Sequence, residues 1–205
     1  MPDILSPTDL VKAWYSDKSH WRPSGKNSAC TDHQLLNAFD LTEKAVLNLG
    51  CYYPEDELAF GSKVKYWAAV DFCPEVVQWC RELPGMPQQV AFYVHDICAM
   101  TFTNESFDIV CDFSTGDHLT LEDFRRMLRE VKRVLKPEGL FLFSYQNADY
   151  FVGEPLEFFG KESGYSRSIS PKDAAALLKR WGFRVIQRFA ETEARAGILA
   201  KRGMG

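Results

Sequence analysis

Residues 107–144 read FDIVCDFSTGDHLTLEDFRRMLREVKRVLKPEGLFLFS, and this stretch decides the fold. Its two ends, 107–111 and 140–144, are almost continuously apolar, which is typical of strands covered on both faces. Between them, residues 121–135 place an apolar side chain at every third or fourth position, and Thr120 is a suitable N-cap. The pattern predicts a strand, a long helix and a second strand that runs parallel to the first.

The same alternation continues on both sides of this stretch. Pro54 and Pro74 each predict the start of a helix, and Ser170 with Pro171 predicts a last one. Further strands are predicted at residues 44–49, 66–70, 90–94, 183–189 and 194–200. The fold class is therefore α/β: a doubly wound, mostly parallel seven-stranded sheet with an antiparallel C-terminal hairpin.

The 205 residues suit one domain, in which four parts are distinguished. Residues 1–43 form an N-terminal covering segment with predicted helices at 7–16 and 31–39, the second capped by Thr31 or Asp32. Residues 44–145 are the ligand-binding core. Residues 146–169 are an irregular, aromatic lid or substrate loop, and residues 170–205 complete the sheet.

Composition excludes several classes of protein. Apolar residues make up 46% and charged residues 25%, with a formal charge of −4, so a disordered or fibrous chain is excluded. There is no apolar run long enough for a membrane span and no secretory signal pattern at the start. Six cysteines without a C-x-x-C pair indicate a reducing compartment, which predicts a cytoplasmic protein. The mild acidity argues against nucleic acid as a partner, and no metal-ligand spacing is present.

Three carboxylates follow predicted parallel strands and should meet at one edge of the sheet: Asp71, Asp96 and Asp112. Asp71 lies twenty-one residues beyond Gly50, where dinucleotide folds place the acid that binds a ribose. The turn after Gly50 has no further glycine, however, and residues 55–57 are all acidic, which would repel phosphates. A nucleoside with a positive centre, such as S-adenosylmethionine, fits this edge better than a pyrophosphate.

Four segments carry a family resemblance: AVLNLGC, AAVDFCPEVV, VHDI followed by SFDIVCDFSTGDHL, and LREVKRVLKPEGLFLFS. With them the chain resembles the class I S-adenosylmethionine-dependent methyltransferases that act on small molecules, of the methyltransferase type 11 kind. The resemblance covers residues 44–145 well and the rest loosely. It implies a Rossmann-like methyltransferase fold and methyl transfer from S-adenosylmethionine, with S-adenosylhomocysteine as product.

The resemblance also assigns roles at the cofactor site. Asp71 would bind the ribose hydroxyls and Asp96 the adenine amino group. The full set of implied cofactor residues is Gly50, Cys51, Tyr52, Asp71, Phe72, Asp96, Ile97, Asp112, Phe113 and Ser114. The sequence departs from the family where Asn48 replaces an acid and where Cys51, Tyr52 and Tyr53 replace a G-x-G turn. That turn must therefore be shaped differently or bind the cofactor differently.

His118, with Asp117 beside it, follows the fourth strand and is our first candidate for a general base or substrate orienter. Tyr15 and His20 belong to the covering segment and either touch substrate or anchor that segment. His95 is interpreted as structural and His33 as part of a surface helix. The expected partner is a small-molecule methyl acceptor. Two rivals stay open: a non-catalytic protein of the same fold that binds an adenosine ligand, and an NAD-dependent oxidoreductase.

Overall fold

The computed structural model describes residues 7–17, 30–150, 157–160, 164–190 and 193–203. The helices are α1 Pro7–Ser16, α2 Thr31–Leu36, α3 Glu55–Phe60, α4 Pro74–Glu82, α5 Leu121–Val134 and α6 Pro171–Arg180. The strands are β1 Ala45–Leu49, β2 Tyr66–Asp71, β3 Val90–Val94, β4 Phe107–Phe113, β5 Leu135–Gln146, β6 Glu157–Gly160, β7 Gly164–Arg167, β8 Phe183–Phe189 and β9 Arg195–Arg202. The interpretation of His20 lies outside the described residues.

Seven strands form one sheet in the order β3-β2-β1-β4-β5-β9-β8. The pairs from β3 to β5 are parallel, whereas β9 runs antiparallel to both β5 and β8. The predicted fold class is thereby confirmed. The strand order reverses between β1 and β4, and in an open sheet of this kind a ligand crevice forms at that point, beyond the carboxyl ends of the strands.

Each face of the sheet carries its own apolar core. Leu47 packs in the core that includes Leu128 of α5 and Leu178 of α6. Its neighbour Val46 packs in the opposite core, with Val76 of α4. Because neighbouring side chains in a strand point to opposite faces, a strand covered on both sides has to be apolar throughout. This requirement is the physical origin of the continuous apolar runs in the sequence.

Helix α5 matches its prediction closely. The Thr120 hydroxyl accepts the backbone N–H of Asp123 at 3.2 Å, which contributes about 1 kcal/mol to the helix N-terminus. Phe124 and Val131 lie on the inner face of α5 and are buried. Strand β5 begins at once after Val134, five residues earlier than predicted, and its pairing with β4 contains a register shift near Phe107.

The prediction for α2 is wrong in its cap and its length. The helix ends at Leu36, and Cys30 occupies the N-cap position, where its side chain does not cap the helix. Thr31 instead donates its hydroxyl to the carbonyl of Arg195 at 3.0 Å, and Asp32 accepts the hydroxyl of Ser144. The polar side chains at the start of this helix therefore fasten it to the sheet.

The interpretation of His33 as a surface residue is also wrong. Its side chain is buried, lies 3.2 Å from the carboxylate of Asp56 and packs edge-on against Phe60 at 5.0 Å between ring centroids. A histidine in a short polar segment gave no sign of this burial. Contacts from α3, which is distant in the sequence, enclose it.

The predicted irregular loop at 146–169 contains a second, two-stranded sheet. Strands β6 and β7 pair antiparallel, with Phe158 opposite Ser166. Four-residue strands are too short to show a reliable pattern in the sequence. Strand β7 lies against α1, so the two predicted covering segments meet over the sheet edge. Among the helices that the model describes, none has the length and apolar character needed to cross a membrane.

Candidate active site

A cleft of about 780 Å³ opens at the carboxyl edge of the sheet. Nine of the ten predicted cofactor residues line it: Gly50, Cys51, Tyr52, Asp71, Phe72, Asp96, Ile97, Phe113 and Ser114. The catalytic candidates Tyr15 and His118 line it as well. The two predicted site residues that do not line the cleft are Asp112 and Asp117.

The turn after β1 requires glycine at its first position. Gly50 has a φ of +71°, and a Cβ there would lie 2.1 Å from the hydroxyl oxygen of Thr115. Thr115 occupies this place because its hydroxyl donates to the carbonyl of Leu49 at 2.7 Å. Gly50 is thus needed for contact between the ends of β1 and β4, as well as for its backbone conformation.

Tyr52 stands where the family has a second glycine, and it adopts a φ of 39°. A left-handed conformation costs a non-glycine residue about 1–3 kcal/mol, so its surroundings must hold it. Its N–H donates to Asp71 at 3.2 Å, its carbonyl accepts the Cys80 thiol, and its ring packs edge-on against Tyr15. The turn therefore keeps a glycine-like backbone at this residue.

Asp71 ends β2 beneath the cleft. Its carboxylate accepts the backbone N–H groups of Tyr52 at 3.2 Å and Cys73 at 3.0 Å. Burial raises its pKa to about 6, while those two N–H groups act in the opposite direction. Asp71 is therefore mostly ionised at neutral pH. We call Asp71, Phe72, Asp96 and Ile97 the Asp71 end of the cleft.

The sequence suggested that all the acids at the start of α3 face the cleft, but the structure shows that not all of them do. Glu57 is fully buried and accepts the side-chain N–H groups of Asn48 at 2.8 Å and Trp67 at 3.0 Å. Asn48 lines the cleft, and its buried side-chain oxygen has no hydrogen-bond partner among the residues that the structure describes. Where the family has an acid on β1, this chain has an amide bonded to a buried acid.

Asp112 is fully buried, so the prediction that it lines the cofactor site is wrong. One of its oxygens accepts the backbone N–H of Gly116 at 2.9 Å. Burial raises its pKa to about 7. Strand alternation explains the error, because Asp112 points to the face covered by α5, whereas its neighbour Phe113 points to the opposite face and lines the cleft. Ser114 lines the cleft from beyond the end of β4.

Asp117 is buried too and does not lie in the cleft beside His118. Its two oxygens accept the backbone N–H of Gln146 at 3.2 and 3.1 Å, and one lies 3.3 Å from Arg195. Its carboxylate therefore joins the turn after β4 to the ends of β5 and β9. Asp117 is therefore a positioning residue next to the candidate base His118, and it does not itself line the cleft.

His118 joins the two covering segments through its ring. Its Nδ1 lies 2.9 Å from the carbonyl of Tyr165, and its Nε2 lies 2.9 Å from the hydroxyl of Tyr15. Because a carbonyl only accepts, Nδ1 must carry the hydrogen, which leaves Nε2 to accept the Tyr15 proton. Burial lowers the pKa of His118 and raises that of Tyr15, so both are neutral at pH 7.

Arg195 and Asp32 line the cleft but were not predicted from the sequence, because neither follows a parallel strand. An antiparallel strand begins at the edge where its parallel neighbours end, so the first residue of β9 was a readable candidate. Asp32 had no comparable signal, because the packing of α2 brings it there. We call Tyr15, Asp32, His118 and Arg195 the Arg195 end of the cleft.

Cysteine and histidine chemistry is limited in this cleft. A hydrogen bond with the Cys80 thiol, together with burial, raises the pKa of Cys51 well above its usual range, so it stays a thiol. His95 lines the Asp71 end, and burial lowers its pKa. Within the described ranges, no group of three or more potential ligand side chains is placed to hold a metal ion.

Residues 47–143 match a family model described as a methyltransferase domain. YqeM, a Bacillus subtilis protein named as a methyltransferase, is 25% identical in an alignment of 165 positions that covers 74% of this chain and 67% of that protein. The chain spans about two thirds of this relative and less than half of the next two curated relatives that it matches, 43% and 38% of their lengths.

Solved structures share the fold over nearly the whole chain. The 1,6-didemethyltoxoflavin-N1-methyltransferase of Burkholderia thailandensis, solved with its substrate and S-adenosylhomocysteine, is 19% identical, with a TM-score of 0.68 over 97% of this chain and 87% of its own. The [4+2]-cyclase SpnF is 14% identical, with a TM-score of 0.74 over 100% of this chain and 99% of its own. At such identities the likeness shows the fold, and the chemistry has to be argued from the site.

Proposed function

We infer that this protein, whose residues 47–143 match a family model of a methyltransferase domain, is a class I S-adenosylmethionine-dependent methyltransferase that transfers a methyl group from S-adenosylmethionine to a small-molecule acceptor. The observation that carries the proposal is the buried Asp71 carboxylate, which two backbone N–H groups hold at the cleft. An ionised carboxylate in this position is the acceptor that a pair of ribose hydroxyls needs.

The residues present fit the proposed cofactor. Asp71 would bind the ribose, Phe72 and Ile97 would flank the adenine, and Asp96 would accept its amino group. Among these four, Asp96 is exposed, and its carboxylate accepts the backbone N–H of Cys98 at 2.8 Å. When bound, S-adenosylmethionine supplies an electrophilic methyl group and keeps the electron pair of the broken carbon–sulfur bond.

At the turn after β1 and at the Asp71 end, the cleft also fits a cation better than a phosphate. Asp71, Asp96 and Asp56 all line it, and α3 begins with acids instead of a row of open N–H groups. A pyrophosphate needs bare glycine backbone at a helix N-terminus, and here Tyr52 and Tyr53 occupy the turn. This arrangement favours a sulfonium nucleoside over NAD, the runner-up cofactor.

Tyr15 and His118 are the proposed acid–base groups. The acceptor proton passes to the Tyr15 oxygen as the phenol passes its own proton to Nε2 of His118. Nδ1 already donates to the Tyr165 carbonyl, and the Asp117 carboxylate raises the pKa of His118, so both groups stabilise the imidazolium that forms. Transfer through the phenol keeps His118 away from water while it acts as base.

The protein's remaining contribution is alignment. Methyl transfer is an in-line displacement, and its rate depends on how closely acceptor and methyl group are held in line. Strand β7 and helix α1 meet over the cleft and are joined through His118. We propose that these two segments enclose the acceptor and exclude water. Six free thiols favour a reducing compartment, so the cytoplasm stays the proposed location.

Calorimetry with S-adenosylhomocysteine, S-adenosylmethionine and NAD tests the proposal. We expect the two sulfur nucleosides to bind and NAD not to bind. A failure of S-adenosylhomocysteine to bind even at millimolar concentration would overturn the proposal, and tight NAD binding would favour an oxidoreductase. Release of S-adenosylhomocysteine with a metabolite mixture then tests turnover.

A second candidate function is a non-methylating protein of the same fold. A solved cyclase shares this fold at a TM-score of 0.74, so the fold alone does not establish methyl transfer. S-Adenosylhomocysteine binding without methyl transfer to any acceptor would favour that alternative. The linked pair Tyr15 and His118 in the cleft is the observation that favours transfer.

A further inference from the structure

Arg195 is held in place through its backbone. It is the first residue of β9, opposite Gln146 at the end of β5. Its carbonyl accepts the hydroxyl of Thr31 at 3.0 Å, and the preceding carbonyl, of Ala194, accepts the N–H of Asn147 at 3.0 Å. The position from which the side chain enters the cleft is therefore fixed from three sides.

The Arg195 guanidinium is only partly used by the protein. One nitrogen, Nη1, donates to Asp117 at 3.3 Å, and the side chain is 35% exposed. Asp117, at 3% exposure, is turned inward and is also bonded to the backbone of Gln146. The other guanidinium N–H groups donate to no further group in the described part of the chain, so one edge of the fork is open to the cleft.

The carboxylates around this end of the cleft are already engaged. Asp32 accepts the hydroxyl of Ser144, and Asp56 pairs with His33. Asp117 is buried, which raises its pKa and weakens it as a counter-charge for Arg195. Lys12 of α1 lines the same cleft. A ligand that enters here meets two cationic side chains with few competing acceptors.

The catalytic pair lies at the same end. Tyr15 and His118 line the cleft together with Arg195, and the positive charge of Arg195 partly offsets the rise that burial causes in the pKa of Tyr15. Phe113 and Leu119 add apolar surface to the cleft. The site therefore combines a planar cationic fork, an apolar wall and a proton acceptor.

We propose that Arg195 binds an anionic group of the methyl acceptor, which is therefore a small organic acid, a carboxylate or a phosphate. The hydroxyl or ring N–H of the acceptor that receives the methyl group points to Tyr15. The guanidinium suits either anion because its two parallel N–H bonds match two oxygen atoms. The proposal rests on the proposed methyl transfer. The carboxylate of the methionine part of the cofactor has the same chemistry, so the test must separate these two sources.

The test supplies S-adenosylmethionine with a deuterated methyl group to the protein, together with a small-molecule metabolite extract. Labelled products are separated by anion exchange at neutral pH and identified by mass spectrometry. We expect the labelled product to be retained as an anion. The purified acceptor then gives KM and kcat for Arg195→Gln, Arg195→Lys and the matched control Arg184→Gln, which removes an exposed arginine outside the cleft.

Loss of a charged hydrogen bond should raise the acceptor KM of Arg195→Gln by about tenfold to hundredfold. Arg195→Lys should recover part of this loss, Arg184→Gln should behave as wild type, and S-adenosylhomocysteine affinity should stay within about twofold of wild type in each. Thermal unfolding confirms that each variant is folded.

A neutral or cationic labelled product overturns the proposal, and so does an unchanged KM in Arg195→Gln. A parallel loss of S-adenosylhomocysteine affinity in that variant assigns Arg195 to the cofactor carboxylate and overturns it as well. Binding of S-adenosylhomocysteine without any labelled product also counts against an acceptor site. Absence of S-adenosylhomocysteine binding is a different outcome, because it removes the proposed function itself.

Discussion

The two ends of the cleft are built in different ways. The Asp71 end consists of residues at or just beyond the ends of two neighbouring strands, β2 and β3. The Arg195 end combines residues from α1, α2, the turn after β4, and β9, which span the chain from Tyr15 to Arg195. The first end is a local consequence of strand order, whereas the second exists only when four remote segments pack together.

Their chemistry differs in the same way. The Asp71 end offers carboxylates to hydrogen-bond donors, and the Arg195 end offers a neutral phenol–imidazole pair and a guanidinium. Strands β2 and β9 are four positions apart in the sheet, which corresponds to about 19 Å at a strand spacing of about 4.8 Å. Variants at one end should therefore alter cofactor binding, and variants at the other should alter turnover.

The largest expected effect is at Asp71. Asp71→Asn removes the negative charge that binds the ribose hydroxyls, so S-adenosylhomocysteine affinity should fall by about hundredfold. In the wild-type protein the affinity should fall as pH drops through about 6, where Asp71 becomes protonated. The variant should not show this pH dependence.

Calorimetry across that pH range measures both effects, with Asp40→Asn, at an exposed position, as the control. Unchanged affinity in Asp71→Asn would remove the distinction between the two ends, because the cofactor would then not depend on this carboxylate.

Turnover should respond at the other end. Tyr15→Phe keeps the ring packing against Tyr52 and removes the hydroxyl, and His118→Asn keeps a donor for the Tyr165 carbonyl and removes the base. Each should lower kcat by about tenfold to hundredfold and leave S-adenosylhomocysteine affinity within about twofold.

The double variant is the sharper measurement. Because the two side chains act through one hydrogen bond, its kcat should resemble that of either single variant. Multiplicative losses, or unchanged kcat in both single variants, would remove the pair from the mechanism.

Asp112 gives a pH-dependent effect on stability. Its pKa is raised from 3.8 to about 7 in the folded state, so the folded protein binds more protons than the unfolded one in that interval. Stability therefore decreases as pH rises through it. The free energy of unfolding of the wild-type protein should therefore fall between about pH 5 and about pH 8. In Asp112→Asn this fall should be smaller by about 1 kcal/mol or more.

Urea unfolding at both pH values gives this difference. Asp108→Asn is a suitable comparison, because hydrogen bonds from Ala45 and Lys136 lower the Asp108 pKa despite its partial burial. In Asp108→Asn the fall in the free energy of unfolding between the two pH values should therefore not be smaller than in wild type. An identical pH dependence in wild type and Asp112→Asn would show that Asp112 is ionised without cost.

Asp96 should give the smallest effect. Its carboxylate is exposed, and water screens its interactions. Asp96→Asn should weaken S-adenosylhomocysteine binding by only a few-fold, about 1 kcal/mol or less, by the same calorimetry. A loss as large as that of Asp71→Asn would show that the adenine contact carries as much affinity as the ribose contact.

Much of the fold could be predicted because its signals are local. A buried strand must be apolar on both faces, as in β1 and β4, and α5 carries its own cap at Thr120. The cofactor residues follow from those strands. The prediction failed at Asp112, where one step of strand alternation decides whether a carboxylate faces the cleft or the core.

Other errors arose where the environment comes from distant segments. His33 is buried because α3 encloses it, and the paired strands Glu157–Gly160 and Gly164–Arg167 are too short to recognise from the sequence. The ion pair between Asp117 and Arg195 joins residues 78 positions apart, which no local pattern reveals.

The sequence by itself determined the doubly wound sheet, the edge at which the cleft lies and the acid that we propose binds a ribose, because periodicity and strand order are properties of neighbouring residues. The tertiary structure alone decided which polar groups face the cleft and how their protons are placed. The hydrogen on Nδ1 of His118 is set by a carbonyl 47 residues away, and its partner Tyr15 lies 103 residues away. Such contacts depend on packing between segments, so they become visible only once the chain is folded.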